Sequence, residues 1–446
     1  MRGTHKNGSA GFIVAFDDTD SPLGLCTTFL ATSVISEFRD FDLIGHPSLV
    51  RLNPNIPWKT RGNGAVAVRF GKGAGNPFPV GRTEDGELPA FPRSRLFPVD
   101  LAGILERADR VILANSAKGA RATNPAVLVA VARPPERLYL DAVRELVAPS
   151  AAIRALSAGK GVSWLWRTHR GVRGIVGASA AAAWRGRRRT FELIAYRERH
   201  RWGTPRNVRW DSVLSMDRDF RSTFNNIDER NRHIVIAPHS PCPVLFGIRA
   251  TGPGELPAAA SAIVSGEGEL SRLIFRSNQG TDDHLHRRMV GKLRPYDSPI
   301  IRGVVASAPA TGRGGHVFFR LKDPTGEIVC AAYEPTKEFR DVVRRLIAGD
   351  CIEAHGGVHG RPFTLNLEKL RVLWAMPRIV VQKPKCPRCG GAMRSRGRGG
   401  GYRCRRCREK AGPEGGSRVA VRRAFAPGPY EVPKCARRHL SRPVQR

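Results

Sequence analysis

The sequence predicts a multidomain α+β protein, and three observations lead to this fold class. The chain has 446 residues, of which 41% are hydrophobic, so it can bury several cores. Its hydrophobic pattern changes along the chain from alternating strands and helices to mostly strands. Two Cys-x-x-Cys pairs follow near the C-terminus and indicate a small metal-binding domain.

The first predicted domain covers residues 1–189 and has α/β architecture, because strands and helices alternate along it. A helix is expected to begin near Thr27, since the apolar residues after it follow the spacing of one helical face. Strands are expected at residues 11–16, 65–70, 110–114 and 127–132.

Smaller predicted domains follow. Residues 190–290, with a strand expected at 233–238, have the β-α-β-β-α-β order of a ferredoxin-like domain. Residues 291–376 contain five predicted strands with a helix between the third and the fourth, the order of an OB-fold β-barrel. We expect a C-terminal zinc ribbon at residues 380–412 and a basic tail at residues 413–446. The pattern leaves open whether the first two domains interleave.

The charge of the chain indicates a polyanionic partner. Lys and Arg number 74 against 39 Asp and Glu, a formal net charge of +35, which favours RNA or DNA over a membrane surface. A surface bias typical of thermophilic or halotolerant proteins is the alternative. The chain contains neither a run of about 20 apolar residues nor a signal-peptide pattern. We therefore expect a cytoplasmic protein.

The two Cys-x-x-Cys pairs are the sharpest local signal in the sequence. Cys386 and Cys389 form one pair, and Cys404 and Cys407 form the other. Four thiolates at this spacing suit a tetrahedral zinc ion, and the cations between them help to lower the thiol pKa values. Four cysteine ligands leave no open coordination position, so we expect structural rather than catalytic zinc.

An acidic cluster follows the first buried strand, in the stretch FDDTDSPLGLCTT. Asp17, Asp18 and Asp20 lie at the end of this strand, and Thr27 lies near the start of the next helix. Carboxylate oxygens favour Mg²⁺, and a helix N-terminus favours phosphate, so the stretch is typical of a nucleoside triphosphate site. It is not a Walker loop, since it has no Gly-Lys-Ser/Thr. A turn with a helix cap is the structural alternative.

Further polar stretches are weaker signals. The loop RLNPNIPWKTRGNGA combines amide and cationic side chains that suit phosphate groups and base edges, although a solvated surface loop is also consistent with it. AKGARATNP offers two cations after a predicted strand, GVRGIVGA places Arg173 among glycines, and RSNQGTDDHL fits either an interdomain hinge or a site.

Five stretches, taken together, resemble one known family. FDDTDSPLGLCTT, RLNPNIPWKTRGNGA, FRSNQGTDDHL, GGHVFFRLKDPTGEI and the final ARRHL are similar to archaeal tRNA(Ile) 2-agmatinylcytidine synthetases, over nearly the whole chain. The resemblance implies a kinase-like catalytic domain at the N-terminus. It also implies an ATP-dependent ligase that attaches agmatine to carbon 2 of the wobble cytidine in the CAU-anticodon isoleucine tRNA, through phosphate activation of the cytosine carbonyl oxygen.

The resemblance also implies cofactors, partners and residue roles. The cofactors are ATP, Mg²⁺ and structural Zn²⁺, and the partners are tRNA and agmatine, with no DNA and no membrane. Magnesium binding and catalysis fall to Asp17, Asp18 and Asp20, with Thr27 as a phosphorylatable threonine. Binding of the phosphates, of ATP or of cytidine falls to Lys118, Arg121, Asn53, Asn55, Lys59 and Arg61.

Two other classes of function remain open at this point. A non-catalytic RNA-binding protein would explain the OB fold, the zinc ribbon and the basic tail, but it would give the acidic cluster no role. A metal-dependent nuclease would use the acids but would not need ATP. Nucleotide binding therefore separates the three classes.

Overall fold

The computed structural model describes residues 4–22, 24–116, 123–158, 163–423 and 425–444. Its N-terminal part consists of strands and helices in the order β1 Thr4–Ser9, β2 Phe12–Asp17, α1 Thr27–Glu37, β3 Asp42–Ile44, β4 Ser48–Arg51, β5 Gly64–Ala74, β6 Phe78–Thr83, β7 Gly86–Phe91, β8 Arg93–Arg95, β9 Phe97–Asp100, α2 Leu101–Ala114, β10 Ala126–Ala130, α3 Arg137–Arg144, α4 Pro149–Ser157, β11 Trp164–Thr168 and α5 Gly174–Ala183.

Strand β2 lies at the centre of this part. It pairs in antiparallel fashion with β5 on one side and with β10 on the other, where Asp17 is opposite Ala126. Phe12, Val14 and Phe16 pack into the core that contains α1 and α2, whereas its alternate residues pack into the core that contains α5. Burial on both faces explains the continuous apolar run of this strand and makes its end a fixed position.

The strand predicted at residues 110–114 is wrong, because these residues form the last turns of α2. Leu101, Ile104, Ala108 and Ile112 are buried at helical spacing, and the Asp100 side chain accepts a hydrogen bond from the backbone of the first turn. A short apolar run fits either a strand or a buried helix, so only the longer pattern decides between them.

The second part continues the same sheet. Its elements are β12 Thr190–Tyr196, α6 Trp210–Asp219, β13 Thr223–Phe224, β14 Ile227–Asp228, β15 His233–Ile234, β16 Val244–Ala250, α7 Leu256–Ser261 and β17 Ser271–Ser277. The strand predicted at residues 233–238 is reduced to two residues, in a short pair with β14.

One sheet of thirteen strands runs through the first two predicted domains. The contact is made by β17, which pairs in antiparallel fashion with β6 and in parallel fashion with β4. The first two domains therefore interleave, and the sheet crosses the boundary expected at residue 190.

The third part is a closed barrel. Its elements are β18 His286–Arg287, β19 Pro299–Val305, β20 Ala310–Thr311, β21 Val317–Asp323, β22 Gly326–Ala332, α8 Phe339–Arg344, β23 Cys351–His359 and β24 Thr364–Trp374. The barrel closes because β19 pairs with β23 on one side and with β21 on the other. The helix lies between the third and the fourth long strand, as the sequence pattern predicts for an OB fold.

The C-terminal part consists of short strands: β25 Arg378–Gln382, β26 Met393–Ser395, β27 Tyr402–Cys404, β28 Lys410–Ala411, β29 Ser417–Val421 and β30 Gly428–Glu431. Strand β29 pairs with β25, and β30 adds to β24 of the barrel. None of the helices in the described ranges is both long enough and apolar enough to cross a membrane.

The last residues differ from the basic tail expected at residues 413–446. The backbone N–H of Cys435 donates to Asp228 of the second part, and the backbone N–H of Gly280 donates to the carbonyl of His439. Leu440, 1% exposed, packs into the α5 side of the core. The segment 425–444, hereafter the C-terminal segment, thus holds three parts of the molecule together.

Replacing Leu440 by Ala should lower the free energy of unfolding by about 2–4 kcal/mol, because it leaves a cavity in the core. Urea unfolding followed by fluorescence measures this change. The matched control is Val444→Ala, whose side chain is 36% exposed and which should change stability by less than about 0.5 kcal/mol. Equal stability of the two variants would mean that the C-terminal segment is not part of the folded core.

Candidate active site

A cavity of about 490 Å³ opens at the C-terminal end of β2. This volume is within the range of small-molecule and cofactor sites. Its walls come from the end of β2, the start of α1, the loop between β4 and β5, and the start of α5. The charged and hydroxyl side chains among its lining residues include Asp17, Asp18, Asp20, Thr27, Lys59, Arg61, Glu145 and Arg173.

Helix α5 fixes the position of Asp17. A Cβ atom at Gly177 would lie 1.8 Å from Oδ2 of Asp17, and one at Gly174 would lie 2.4 Å from the carbonyl oxygen of Asn124. Only glycine at these two positions lets the helix approach the ends of β2 and β10 this closely. The stretch GVRGIVGA therefore presses the helix against the acids, a role that sequence reasoning did not assign to it.

The two acids after Asp17 each bind an arginine. Asp18 has a positive φ of 56°, and its Oδ2 accepts from Nε of Arg173 at 3.0 Å. Asp20 accepts from Arg61, which also donates to the carbonyls of Ser21 and Leu25. Among the charged residues that the structure describes, Asp17 has no arginine or lysine within ion-pair distance. The arginines thus restrain two acids and leave the innermost one for another cation.

Burial perturbs all three acids, hereafter the acid cluster. It raises the pKa of Asp17 well above the usual value, and the neighbouring Asp18 raises it further. It also raises the pKa values of Asp18 and Asp20, against the opposing effects of Arg173 and Arg61. Three carboxylates that are costly to ionise together favour a bound cation or a shared proton.

Thr27 is the first residue of α1 and is 6% exposed. The Thr19 hydroxyl donates to the Thr27 hydroxyl at 3.2 Å, and both threonines stand beside the acid cluster. The first amide groups of α1 have no partner within the helix, and the helix dipole is positive there, so this end favours phosphate.

The residues expected to bind nucleotide divide into two groups. Lys59 and Arg61 line the cavity, together with Trp58 from the same loop. Asn53 and Asn55 do not: their side-chain amides both donate to the carbonyl of Tyr296 in the third part of the chain. The two prolines of the loop turn these amides away from the cavity and towards the barrel, where they bind the domains to each other.

Lys118 and Arg121 lie outside the described residues. The residues that follow them do contribute to the site, since Asn124 lines the cavity and the Thr123 hydroxyl donates to the carbonyl of Asp20 at 2.9 Å. Arg173, Asn124 and Gly177 have no site role in the sequence analysis. Their only signal there is the density of glycines around Arg173.

The four zinc-ribbon cysteines come together. Sγ of Cys386 lies 3.4 Å from Sγ of Cys407, and the same distance separates the Sγ atoms of Cys389 and Cys404. All four sulfurs lie within 4.8 Å of one another. The backbone N–H of Cys407 is the main cause that lowers the pKa of Cys404 to about 6. This geometry fits tetrahedral structural zinc.

A second group of possible metal ligands, Asp282, His284 and Glu368, is already neutralised. Both carboxylate oxygens of Asp282 accept from Nζ of Lys369, and His284 Nε2 lies 2.9 Å from Glu368 Oε1. An ammonium group therefore occupies the place of a cation, and the group forms a buried ion-pair network between the domains.

Purified protein should contain one zinc ion per chain, and the Cys389→Ser variant should contain less than half of that amount. Elemental analysis measures both, and Cys351→Ser, which changes a cysteine of the barrel, is the control. Because structural zinc contributes folding free energy, the ribbon of the Cys389→Ser variant should also become sensitive to proteases. A metal-free wild-type protein would contradict this prediction.

Family models match four successive stretches of the chain. Residues 13–163 match the TiaS TCKD domain and residues 172–284 match the TiaS FLD domain. Residues 300–373 match an OB-fold nucleic acid binding domain, and residues 383–424 match the TiaS C-terminal zinc ribbon domain. Helix α5, which presses on the acid cluster, lies within the range of the second model.

Curated relatives match over the same span. The tRNA(Ile) 2-agmatinylcytidine synthetase TiaS of Methanocaldococcus jannaschii is 35% identical over 97% of this chain and 98% of its own. That of Archaeoglobus fulgidus is 38% identical over 97% of each chain.

Solved structures share the fold. A structure of apo TiaS, described as an agmatidine synthetase of an isoleucine tRNA, has a TM-score of 0.82 at 35% identity over 97% of each chain. A complex of TiaS with its isoleucine tRNA, AMPCPP and agmatine has a TM-score of 0.79 at 32% identity over 98% of this chain and 97% of that one. With its domain matches, its identity over the full length and its cavity at the end of β2, the chain belongs to the tRNA(Ile) 2-agmatinylcytidine synthetase family.

Proposed function

We propose that this protein is the ATP-dependent ligase that attaches agmatine to carbon 2 of the wobble cytidine in the CAU-anticodon isoleucine tRNA. The product is 2-agmatinylcytidine, which reads AUA. The observation that carries this proposal is the acid cluster on the 490 Å³ cavity, in a chain 32% identical to a relative solved with an isoleucine tRNA, AMPCPP and agmatine. The cytoplasm, which holds both tRNA and ATP, is the compartment that we propose for the reaction.

The reaction explains why a basic chain gathers acids at one point. An amine displaces the oxygen at carbon 2 of cytosine only when that oxygen becomes a better leaving group, and phosphorylation by ATP supplies one. Phosphoryl transfer depends mainly on positioning and on neutralising the charge of the triphosphate. The acids therefore serve the cation that accompanies ATP, whereas the basic surface serves the tRNA.

Magnesium is the cation that we propose for Asp17, Asp18 and Asp20. The donor set fits, because all three are carboxylates with raised pKa values and Mg²⁺ prefers oxygen ligands. Mg²⁺ commonly takes one or two carboxylates and completes its shell with water and phosphate, which suits a site where two acids also bind arginines. When bound, it would neutralise the charge of the phosphates.

We propose phosphate contacts for the cations around the cavity. Lys59 and Arg61 come from the loop between β4 and β5, and Arg173 comes from the start of α5. Lys118 and Arg121 retain the phosphate role that the family resemblance gives them. Thr27 lies where the α1 amide groups favour a phosphate, which supports its role as the phosphorylatable threonine.

The wobble cytidine needs an aromatic surface as well as polar contacts. Trp58 lines the cavity and is 46% exposed, so its ring face is available to an unstacked base. The attacking amine of agmatine must lose a proton, and a carboxylate whose pKa is raised towards neutrality is suited to accept it. Among the three acids, Asp17 is placed best for this step because none of the described arginines pairs with it.

The zinc ribbon supports tRNA binding outside the cavity. Its exposed arginines are Arg388, Arg394, Arg396, Arg398, Arg403 and Arg405. Such a density of guanidinium groups around a small domain is typical of a surface that binds phosphates.

The decisive test is incorporation of labelled agmatine into a transcript of the CAU-anticodon isoleucine tRNA. Label should enter the tRNA only when both ATP and Mg²⁺ are present. The matched control is the same transcript with uridine in place of the wobble cytidine, which should stay unlabelled. Tight tRNA binding without label would favour the RNA-binding protein, and cleavage of the transcript without ATP would favour the nuclease.

Replacing Asp17 by Asn should abolish agmatine transfer and leave the stability of the free protein at pH 7 equal or higher. The sign follows from the raised pKa of Asp17: the folded state holds the proton more tightly, so ionisation destabilises it as pH rises past the unfolded value. Mg²⁺ with ATP should raise the thermal midpoint of the wild type but not that of the variant.

The control for this variant is Asp211→Asn, which changes an exposed carboxylate in α6. It should retain both the transfer activity and the stabilisation by Mg²⁺ with ATP. An Asp17→Asn protein that keeps that stabilisation would contradict the proposed magnesium role.

A further inference from the structure

A second cavity, of about 370 Å³, lies at the other end of the strands that carry the acid cluster. Ile13 lines this cavity and Asp17 lines the first one, so β2 separates them by roughly 13 Å. In the same way, Ser48 at the start of β4 lines the second cavity, and Arg51 at its end lines the first. The two cavities are therefore distinct.

Four arginines converge on the second cavity, hereafter the arginine pocket. Arg69 and Arg133 come from the first part of the chain, and Arg189 and Arg276 come from the second. No carboxylate is among the lining residues that the structure describes. Nor does any of the four make an ion pair with a described acidic residue. The pocket thus carries an uncompensated positive charge.

Arg276 is held in a fixed position. Its Nη2 donates to the Ser48 hydroxyl at 3.2 Å, and its guanidinium lies 5.0 Å from the centre of the Trp184 ring. Gly186, with φ of +68°, lets the chain pass so close that a Cβ there would be 3.1 Å from Cζ of Arg276. Nε of Arg276 is buried without a hydrogen-bond partner. A guanidinium held this rigidly has a donor left for a ligand.

The other buried arginines of the molecule differ in this respect. Arg197, which is fully buried, binds Glu267, and Arg249 lies 3.3 Å from Glu192. In the arginine pocket, burial lowers the pKa of Arg276 to about 10, and Arg133 is the largest of the neighbouring cations that lower it further. The group stays charged at neutral pH. A buried guanidinium without a counterion is costly, so an anion would stabilise this arrangement.

The positive surface continues beyond the pocket. Arg189 and Phe191 also line an adjoining groove, which contains Arg187, Arg188 and Arg442. Arg188 lies 3.8 Å from Asp283 and is 75% exposed, so its charge is largely available. A recessed pocket that opens into a basic groove suits a chain of phosphates better than a single small anion.

We propose that the arginine pocket binds a phosphate group of the tRNA backbone, remote from the reacting base. Guanidinium groups match phosphate oxygens in paired hydrogen bonds, and contacts of this kind position a nucleic acid without reading its sequence. The pocket joins the first two parts of the molecule, so a phosphate there would also fix their common sheet against the tRNA. This inference rests on the proposed function only for the identity of the RNA.

The test measures the affinity for tRNA against salt concentration, without ATP or agmatine. Arg276→Gln should raise Kd about tenfold, and Arg189→Gln, which changes an exposed side chain, about threefold. Each loss of a phosphate contact should lower the slope of log Kd against log salt by about one. Arg137→Gln, which changes a side chain 87% exposed on α3, is the matched control and should leave the slope unchanged.

Slopes equal to that of Arg137→Gln, in variants with wild-type zinc content and thermal midpoint, would overturn the proposal. Stabilisation of the wild type but not of Arg276→Gln by inorganic phosphate, with unchanged tRNA slopes, would also overturn it and assign the pocket to a free anion. Agmatine incorporation by the wild type is measured separately. Failure of the proposed function and failure of the arginine pocket are therefore distinguishable.

Discussion

The contact between α5 and the end of β2 is the constraint on which the rest of the site depends. Because Gly177 has no side chain, the helix reaches the Asp17 carboxylate and excludes water from one side of it. The same helix brings Arg173 to Asp18, while the loop after β4 brings Arg61 to Asp20. The acids are thereby ordered: two are neutralised in part by arginines, and the innermost one keeps the raised pKa that suits a cation or a proton.

The domain architecture keeps this site rigid. One sheet runs through the first two parts, Asn53 and Asn55 bind the third part through the carbonyl of Tyr296, and the C-terminal segment returns to the core at Leu440. The cavity is therefore bounded by elements that are distant in sequence but mutually fixed. A base and a triphosphate that react in line need such a boundary, since a displacement of about 1 Å is enough to lower the rate strongly.

Charge is segregated along the same sheet. Acids lie at the end of β2, and arginines without carboxylate partners lie near its start, about the length of one strand away. The exposed cations of the zinc ribbon add a third region. A ligase that acts on tRNA needs this arrangement, because the cation that accompanies ATP and the phosphates of the RNA must be bound at separate places. The net charge of +35 is the sum of these regions rather than a uniform surface property.

The sequence by itself determined the order of most elements, the zinc ligands and the acid cluster, because each depends on neighbours within a few residues. The Cys-x-x-Cys spacing fixes a ribbon locally, and a buried strand followed by acids places them at its end. The sequence assigned residues 110–114 to a strand because a short apolar run has no decisive period. Only the tertiary structure decided that Asn53 and Asn55 bind the barrel, that Gly177 touches Asp17, and that Arg69, Arg133, Arg189 and Arg276 share one pocket. These contacts join residues far apart in the chain, and long-range packing, rather than local preference, sets them.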